Sequence, residues 1–265
     1  MKKSDCVKLG NTNMQFVAFG KGSKKLVVLP GLSDGLATVK GKARILSVPY
    51  KNFLKEYTVY MFSRKDDMPD GYSIRDMADD QAAAMRSLGL EKACVLGVSQ
   101  GGMIAQCMAI DHPELVEKLV LAVTAPNANE IVTSAVTEWI GMASRGEHTA
   151  LILDTAEKTY SNEYLEKNRK YFPALAKLTK PSSYDRFMIN AEAILDFDVR
   201  SELPKIGCPT LIIAGSDDKT VGTDAAGELN RSIKGSELYV YEGLGHGLYE
   251  EASDFYSKVF EFCSR

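Results

Sequence analysis

Three short stretches hold the residue types of nucleophilic catalysis: Ser99 in Gly97-Val98-Ser99-Gln100-Gly101, the adjacent acids Asp217 and Asp218 in Gly215-Ser216-Asp217-Asp218, and His246 in Gly245-His246-Gly247. A serine hydroxyl is a poor nucleophile near neutral pH. It needs a base to take its proton, and that base needs a third group to fix its tautomer and stabilise its charge. Ser99 follows the apolar run Ala93-Cys94-Val95-Leu96 and precedes an apolar-periodic segment. That places it on a tight strand-to-helix turn, where small neighbours permit a strained backbone and push the hydroxyl out over the sheet edge.

The elements around these stretches must bring them together. Residues 5–9 and 14–19 read as an antiparallel pair joined by Gly10-Asn11-Thr12-Asn13. Short buried strands follow at 25–29 and 57–62. Ile74, Met77, Ala78, Gln81, Met85 and Leu88 then keep helical spacing from Ser73 to a stop at Gly89. A strand at 93–96, a helix from about 102 to 110 and a strand at 118–123 continue the alternation. A later block repeats it, with strands at 210–214 and 237–241 and helices at 225–233 and about 252–262. Strands alternating with helices imply a mostly parallel sheet covered on both faces, with right-handed crossovers. Parallel strands deliver their C-terminal ends to one sheet edge. Ser99, the paired acids and His246 each follow a strand, so all of them reach that edge.

Residues 127 to about 202 break the pattern. They hold no clear strand, show helical spacing at Ile131, Ala135, Trp139 and Met142, and carry the only tryptophan. No Gly/Ser/Pro-rich linker marks either end, so the segment reads as a helical insertion over the sheet rather than an independent domain. Its aromatic and methionine side chains pack the insertion on the core and supply walls for an apolar pocket over Ser99.

The combination of Leu29-Pro30-Gly31-Leu32 after the third strand, Gly97-Val98-Ser99-Gln100-Gly101-Gly102, Gly215-Ser216-Asp217-Asp218 and Gly245-His246-Gly247 resembles the α/β-hydrolase superfamily over nearly the whole chain. The chain order Ser, Asp, His is also that of this superfamily. The resemblance implies the α/β-hydrolase fold: a mostly parallel twisted sheet of about eight strands flanked by helices, with residues 1–127 and 203–265 as core and 128–202 as a helical cap. It implies Ser99 as nucleophile, His246 as base and Asp218 as acid, leaving Asp217 to cap its loop. It further implies backbone N–H groups of Leu32 and Gln100 as the oxyanion hole. Such donors are worth roughly 2.7–4 kcal/mol each to a tetrahedral intermediate.

The implied activity is a serine hydrolase acting on a small carboxylic ester, lactone or thioester with an apolar part, through an acyl-enzyme. Two other uses of the scaffold are a cofactor-free lyase or haloperoxidase-type enzyme on the same triad, and a hydrolase-like ligand receptor. The chain departs from common patterns in having Pro30-Gly31 where many relatives have His-Gly, and Phe62-Ser63-Arg64-Lys65 where many have Asp-x-Arg-Gly.

Composition narrows the partners. With 25% charged residues and a formal charge of −3 in 265 residues, nothing marks a nucleic-acid surface. No segment has the length of a membrane span and no signal-type apolar run follows the charged opening, so a cytoplasmic protein is expected. Five scattered cysteines suit reduced thiols, and three dispersed histidines offer no metal site. No cofactor and no metal is implied, and a monomer or homodimer is expected. His112, before Pro113, reads as a helix terminator. His148 reads as a solvated residue of the insertion. The run Arg64-Lys65-Asp66-Asp67 reads as a solvent-facing stretch, with Arg64 also a candidate for meeting an anionic substrate.

Overall fold

The computed structural model describes residues 2–265; Met1, the first residue of the expected core range, lies outside them. The elements in chain order are β1 (Lys2–Leu9), β2 (Thr12–Gly20), β3 (Lys24–Leu29), α1 (Ala43–Leu46), β4 (Tyr57–Lys65), α2 (Ile74–Ser87), β5 (Ala93–Val98), α3 (Gln100–Asp111) and β6 (Val116–Ala122). Five helices follow: α4 (Glu130–Ser144), α5 (His148–Thr159), α6 (Asn162–Asn168), α7 (Phe172–Thr179) and α8 (Asp185–Leu195). The chain closes with β7 (Thr210–Gly215), α9 (Ala225–Ser232), β8 (Glu237–Tyr241), α10 (Leu248–Glu251) and α11 (Phe255–Ser264).

One eight-stranded sheet has the order β1-β2-β4-β3-β5-β6-β7-β8. β1 and β2 pair antiparallel, as do β2 and β4, and every pair from β4 through β3 to β8 is parallel. The inner parallel strands β5 and β7 read as apolar runs because both faces are covered, whereas the edge strand β8 is exposed along most of its length. Alternate residues divide between two cores. Val27, Val95, Leu119 and Ile212 join α2, α3 and α9 on one face. Val28, Leu96, Val120 and Ile213 join α11 on the other.

Local chemistry sets the boundaries. Ser73 caps α2 by accepting from Asp76 N–H while the Asp76 side chain accepts from Ser73 N–H, a capping box that satisfies two end donors. The expected C-terminal helix from about residue 252 is α11, which starts after Asp254, and a separate short helix that was not expected, α10, ends at Glu251 just before it. Ala252 adopts an extended conformation between them, which no helix interior accommodates.

Helices α4 to α8 fill the gap between β6 and β7. α8 sits directly on the turn after β3, where a Cβ on Gly35 would meet Phe187 Cα at 2.8 Å. Among the described residues, no helix is long and apolar enough to cross a membrane.

Candidate active site

β5 ends at Val98, and Ser99 turns the chain into α3 with φ 55° and ψ −121°. That is a costly conformation for a residue with a Cβ, of order 1–3 kcal/mol, which surrounding contacts must hold. Two hydrogen bonds hold it. Ser99 N–H donates to Ala122 O at 2.9 Å, and the Thr124 hydroxyl donates to Ser99 O at 2.8 Å. Close approach explains the glycines: a Cβ on Gly97 would meet Gly101 O at 2.4 Å, and one on Gly101 would meet Leu29 O at 1.9 Å. Val123, just beyond β6, shares the positive φ at 46°, which is rare for a β-branched residue. Its apolar identity gave no sign of it, and it sets Thr124 under the Ser99 carbonyl.

The turn presents Ser99 Oγ to His246, whose Nε2 lies 2.9 Å away. His246 Nδ1 lies 2.9 Å from Asp218 Oδ2. The other Asp218 oxygen accepts from the backbone N–H groups of Thr220 and Val221 at 2.8 and 3.0 Å. Burial pushes the Asp218 pKa upward, but His246 and those two donors outweigh it and hold the carboxyl below its ordinary range. The ionised carboxylate only accepts, so Nδ1 carries the ring proton and Nε2 is left to accept from the serine hydroxyl. Asp217 is exposed and accepts from the Ser216 hydroxyl instead. Of the two adjacent acids, Asp218 alone reaches the histidine. The loop carrying His246 is held by the end of α5, where Gly247 N–H donates to Thr159 O at 2.6 Å.

Leu32 opens a 3-10 turn and Gln100 opens α3, so neither backbone N–H has a partner within its own helix. Gly31 brings the first turn against Ser99, a Cβ there falling 3.3 Å from Ser99 Cβ. The positive end of α3 favours negative charge at the same place.

A family model described as the alpha/beta hydrolase fold matches residues 55–253. The chain belongs to this family. It is 32% identical over 215 residues to the AB hydrolase superfamily protein YisY of Bacillus subtilis (strain 168), covering 77% of this chain and 78% of that protein. It is 27% identical over 278 residues to the 2-hydroxy-6-oxononadienedioate/2-hydroxy-6-oxononatrienedioate hydrolase of a Pseudomonas species, covering 93% and 90% of the two chains. Among solved structures it is similar to MGS-M2, an alpha/beta hydrolase enzyme from a Medee basin deep-sea metagenome library, with a TM-score of 0.87 at 20% identity over 98% of each chain.

In this α/β hydrolase a cavity of about 170 Å³ opens over Ser99 and His246. Its walls come from the turn after β3 and from α4, α5 and α8, including Leu32, Leu36, Trp139, Leu151, Ile152 and Phe187. A larger hollow of about 450 Å³ between α2 and α8, edged by Arg75, Glu192 and Asp196, touches none of Ser99, Asp218 and His246.

Behind the Ser99 turn the structure corrects the sequence reading of Arg64. That side chain is 1% exposed rather than solvent-facing, and it does not line the cavity over Ser99. Its Nη2 donates at 2.8 Å both to Pro30 O and to Gln100 Oε1. The Gln100 amide in turn donates to Asn190 O of α8 at 2.5 Å. Arg64 N–H donates to the buried Asp34 carboxylate, which also takes Arg186 Nη2 at 2.9 Å. Burial lowers the Arg64 pKa, and the nearby Asp34 charge opposes that shift. Arg64 thus ties the segment before Leu32 to the side chain of Gln100. The run's other members differ: Asp66 and Asp67 are exposed, while Lys65 pairs with Asp80 at 2.9 Å.

His148 is also corrected. It is 4% exposed, packed beside Tyr184 with ring centroids 5.9 Å apart, and burial lowers its pKa. His112 is the C-cap of α3, as its place before Pro113 implies, and its Nε2 lies 2.7 Å from Asp79.

Proposed function

We propose that this chain is a serine hydrolase that cleaves a small carboxylic ester, lactone or thioester through an acyl-enzyme. The observation that carries the reading is the unbroken line Asp218, His246, Ser99, each step 2.9 Å, at the floor of an apolar cavity. Ser99 Oγ attacks the substrate carbonyl carbon as His246 Nε2 takes its proton. Asp218 holds the Nδ1 proton and stabilises the imidazolium that forms. The carbonyl oxygen becomes an oxyanion and accepts from the N–H groups of Leu32 and Gln100. His246 then returns the proton to the departing alcohol or thiol. Water, deprotonated by the same histidine, attacks the acyl carbon and releases the acid and Ser99.

The division of labour follows from the elements. We assign residues 1–127 and 203–265 to the core that supplies this chemistry, and 128–202 to a helical cap that supplies most of the apolar wall. Hydrolysis as the broad activity agrees with the family and with the names of its curated relatives.

The test is steady-state hydrolysis of an ester panel graded from acetyl to long acyl and aryl groups, with Ser99→Ala in parallel. Turnover by the wild type that falls by about 10⁴-fold or more in the variant is expected. Retained hydrolysis in folded Ser99→Ala would refute the assignment.

A further inference from the structure

Resting on the serine-hydrolase reading, we infer that the cavity over Ser99 is a rigid acyl pocket for a small, uncharged, apolar acyl group, with Trp139 as the wall that sets its depth. Volume bounds the size. A cavity of about 170 Å³ is smaller than the roughly 300–1,000 Å³ of pockets for drug-sized ligands. An engineered apolar cavity of about 150 Å³ takes benzene, so a benzoyl or pentanoyl group fits and a decanoyl group does not.

Charge bounds the chemistry. Among the described residues that line the cavity there is no Lys, Arg, Asp or Glu; its titratable members are His246 and Tyr249. Two cations behind the Ser99 turn, Arg64 and Arg186, are committed. Arg64 donates to Pro30 O and Gln100, and Arg186 donates to Asp34, to Lys65 O and to Arg64 O. A carboxylate at the far end of an acyl group would lose its hydration without meeting a partner, beside a site that already holds the Asp218 charge.

Trp139 makes the depth rigid. Its indole Nε1 donates to Asp154 Oδ2 at 2.7 Å, and the other oxygen of that carboxylate takes Lys158 Nζ at 2.5 Å. The ring of α4 is thereby pinned to α5 through a side chain that is not itself part of the cavity wall. The acyl group is assigned to this space because it stays bound to Ser99 through the second half of the reaction, whereas the alcohol must leave.

The experiment measures kcat/KM of the full-length protein for p-nitrophenyl acetate, pentanoate, hexanoate and decanoate. It adds the p-nitrophenyl half-ester of succinate, and a matched set of acetates whose alcohol is lengthened instead. Pentanoate is expected to exceed the half-succinate by at least about 100-fold, and decanoate to fall at least about tenfold below hexanoate. Trp139→Ala should move that cut-off to longer acyl chains. Asp154→Ala, which frees the indole without touching the wall, should blur it in the same direction. Equal rates on pentanoate and half-succinate, a cut-off that follows the alcohol rather than the acyl chain, or a profile unchanged in both folded variants would overturn the inference. Labelling of the wild type with a small fluorophosphonate separates the two levels. An adduct on Ser99 with the wrong selectivity sinks the pocket assignment alone, whereas no adduct and no turnover sink the serine-hydrolase reading along with it.

Discussion

In front of the Ser99 turn, Asp218 and His246 complete one another: both Asp218 oxygens have partners, and both ring nitrogens of His246 do as well. Behind the same turn, Arg64 is equally buried, yet its Nε and Nη1 have no partner among the described residues, nor do Asp34 Oδ1 and Asn190 Oδ1. The front group hangs from loops that follow β5, β7 and β8, so its side chains can change without undoing a strand or helix. The rear group joins β4, the turn after β3 and α8, so loss of one member strands a buried charge. On the proposed reading, chemistry is concentrated in the first region and fold stability in the second, and Gln100, with its backbone in front and its side chain behind, links them.

Asp218→Asn is the sharpest cut on the front side, since the amide leaves the histidine in the wrong tautomer. Turnover of the best ester is expected to fall about 10⁴-fold, with far-ultraviolet circular dichroism unchanged. Asp217→Asn, an exposed change one residue away, should stay within about twofold. A full-sized loss in the Asp217 variant would move the acid's role to that residue.

On the rear side the largest effect is thermodynamic. Asp34→Asn leaves Arg186 and Arg64 without their buried counter-charge and should lower the unfolding free energy by about 3–5 kcal/mol in a urea titration. A loss of only a few tenths of a kcal/mol would mean that the rear cluster is no more than filler.

The line between fold and chemistry was unevenly legible in the sequence. Strands β3 to β7 were marked by short apolar runs, and the Ser99 turn by glycines that close packing requires. Asp218 was separable from Asp217 only through family resemblance, because adjacent acids on a loop carry no register. Arg64 and His148 were misread for one reason: a side chain's charge is visible in sequence, but its partners are not. Those of the Arg64 side chain lie at Pro30 and Gln100, with Asp34 held by its backbone N–H, and only folding brings them within reach. Helix α1, four residues long, is too short to show a period.

The acid limb of stability sharpens the comparison further. Asp218 has its pKa depressed in the fold, so its contribution is fully present above the unfolded value near 4 and is lost as pH falls through the lower folded value. The stability gap between wild type and Asp218→Asn should therefore shrink as pH falls below about 4. A gap that fails to shrink there, in urea titrations at stepped pH, would reverse the assigned direction. Ser73→Ala, remote from both regions, removes one half of the α2 capping box and should cost about 1 kcal/mol with activity intact.

The most direct test of the central claim is mass spectrometry of protein quenched during turnover of an activated ester, followed by peptide mapping. The account predicts a single acyl adduct on the peptide that carries Ser99, absent from Ser99→Ala. An adduct on another residue, or undiminished turnover by the folded variant, would contradict it.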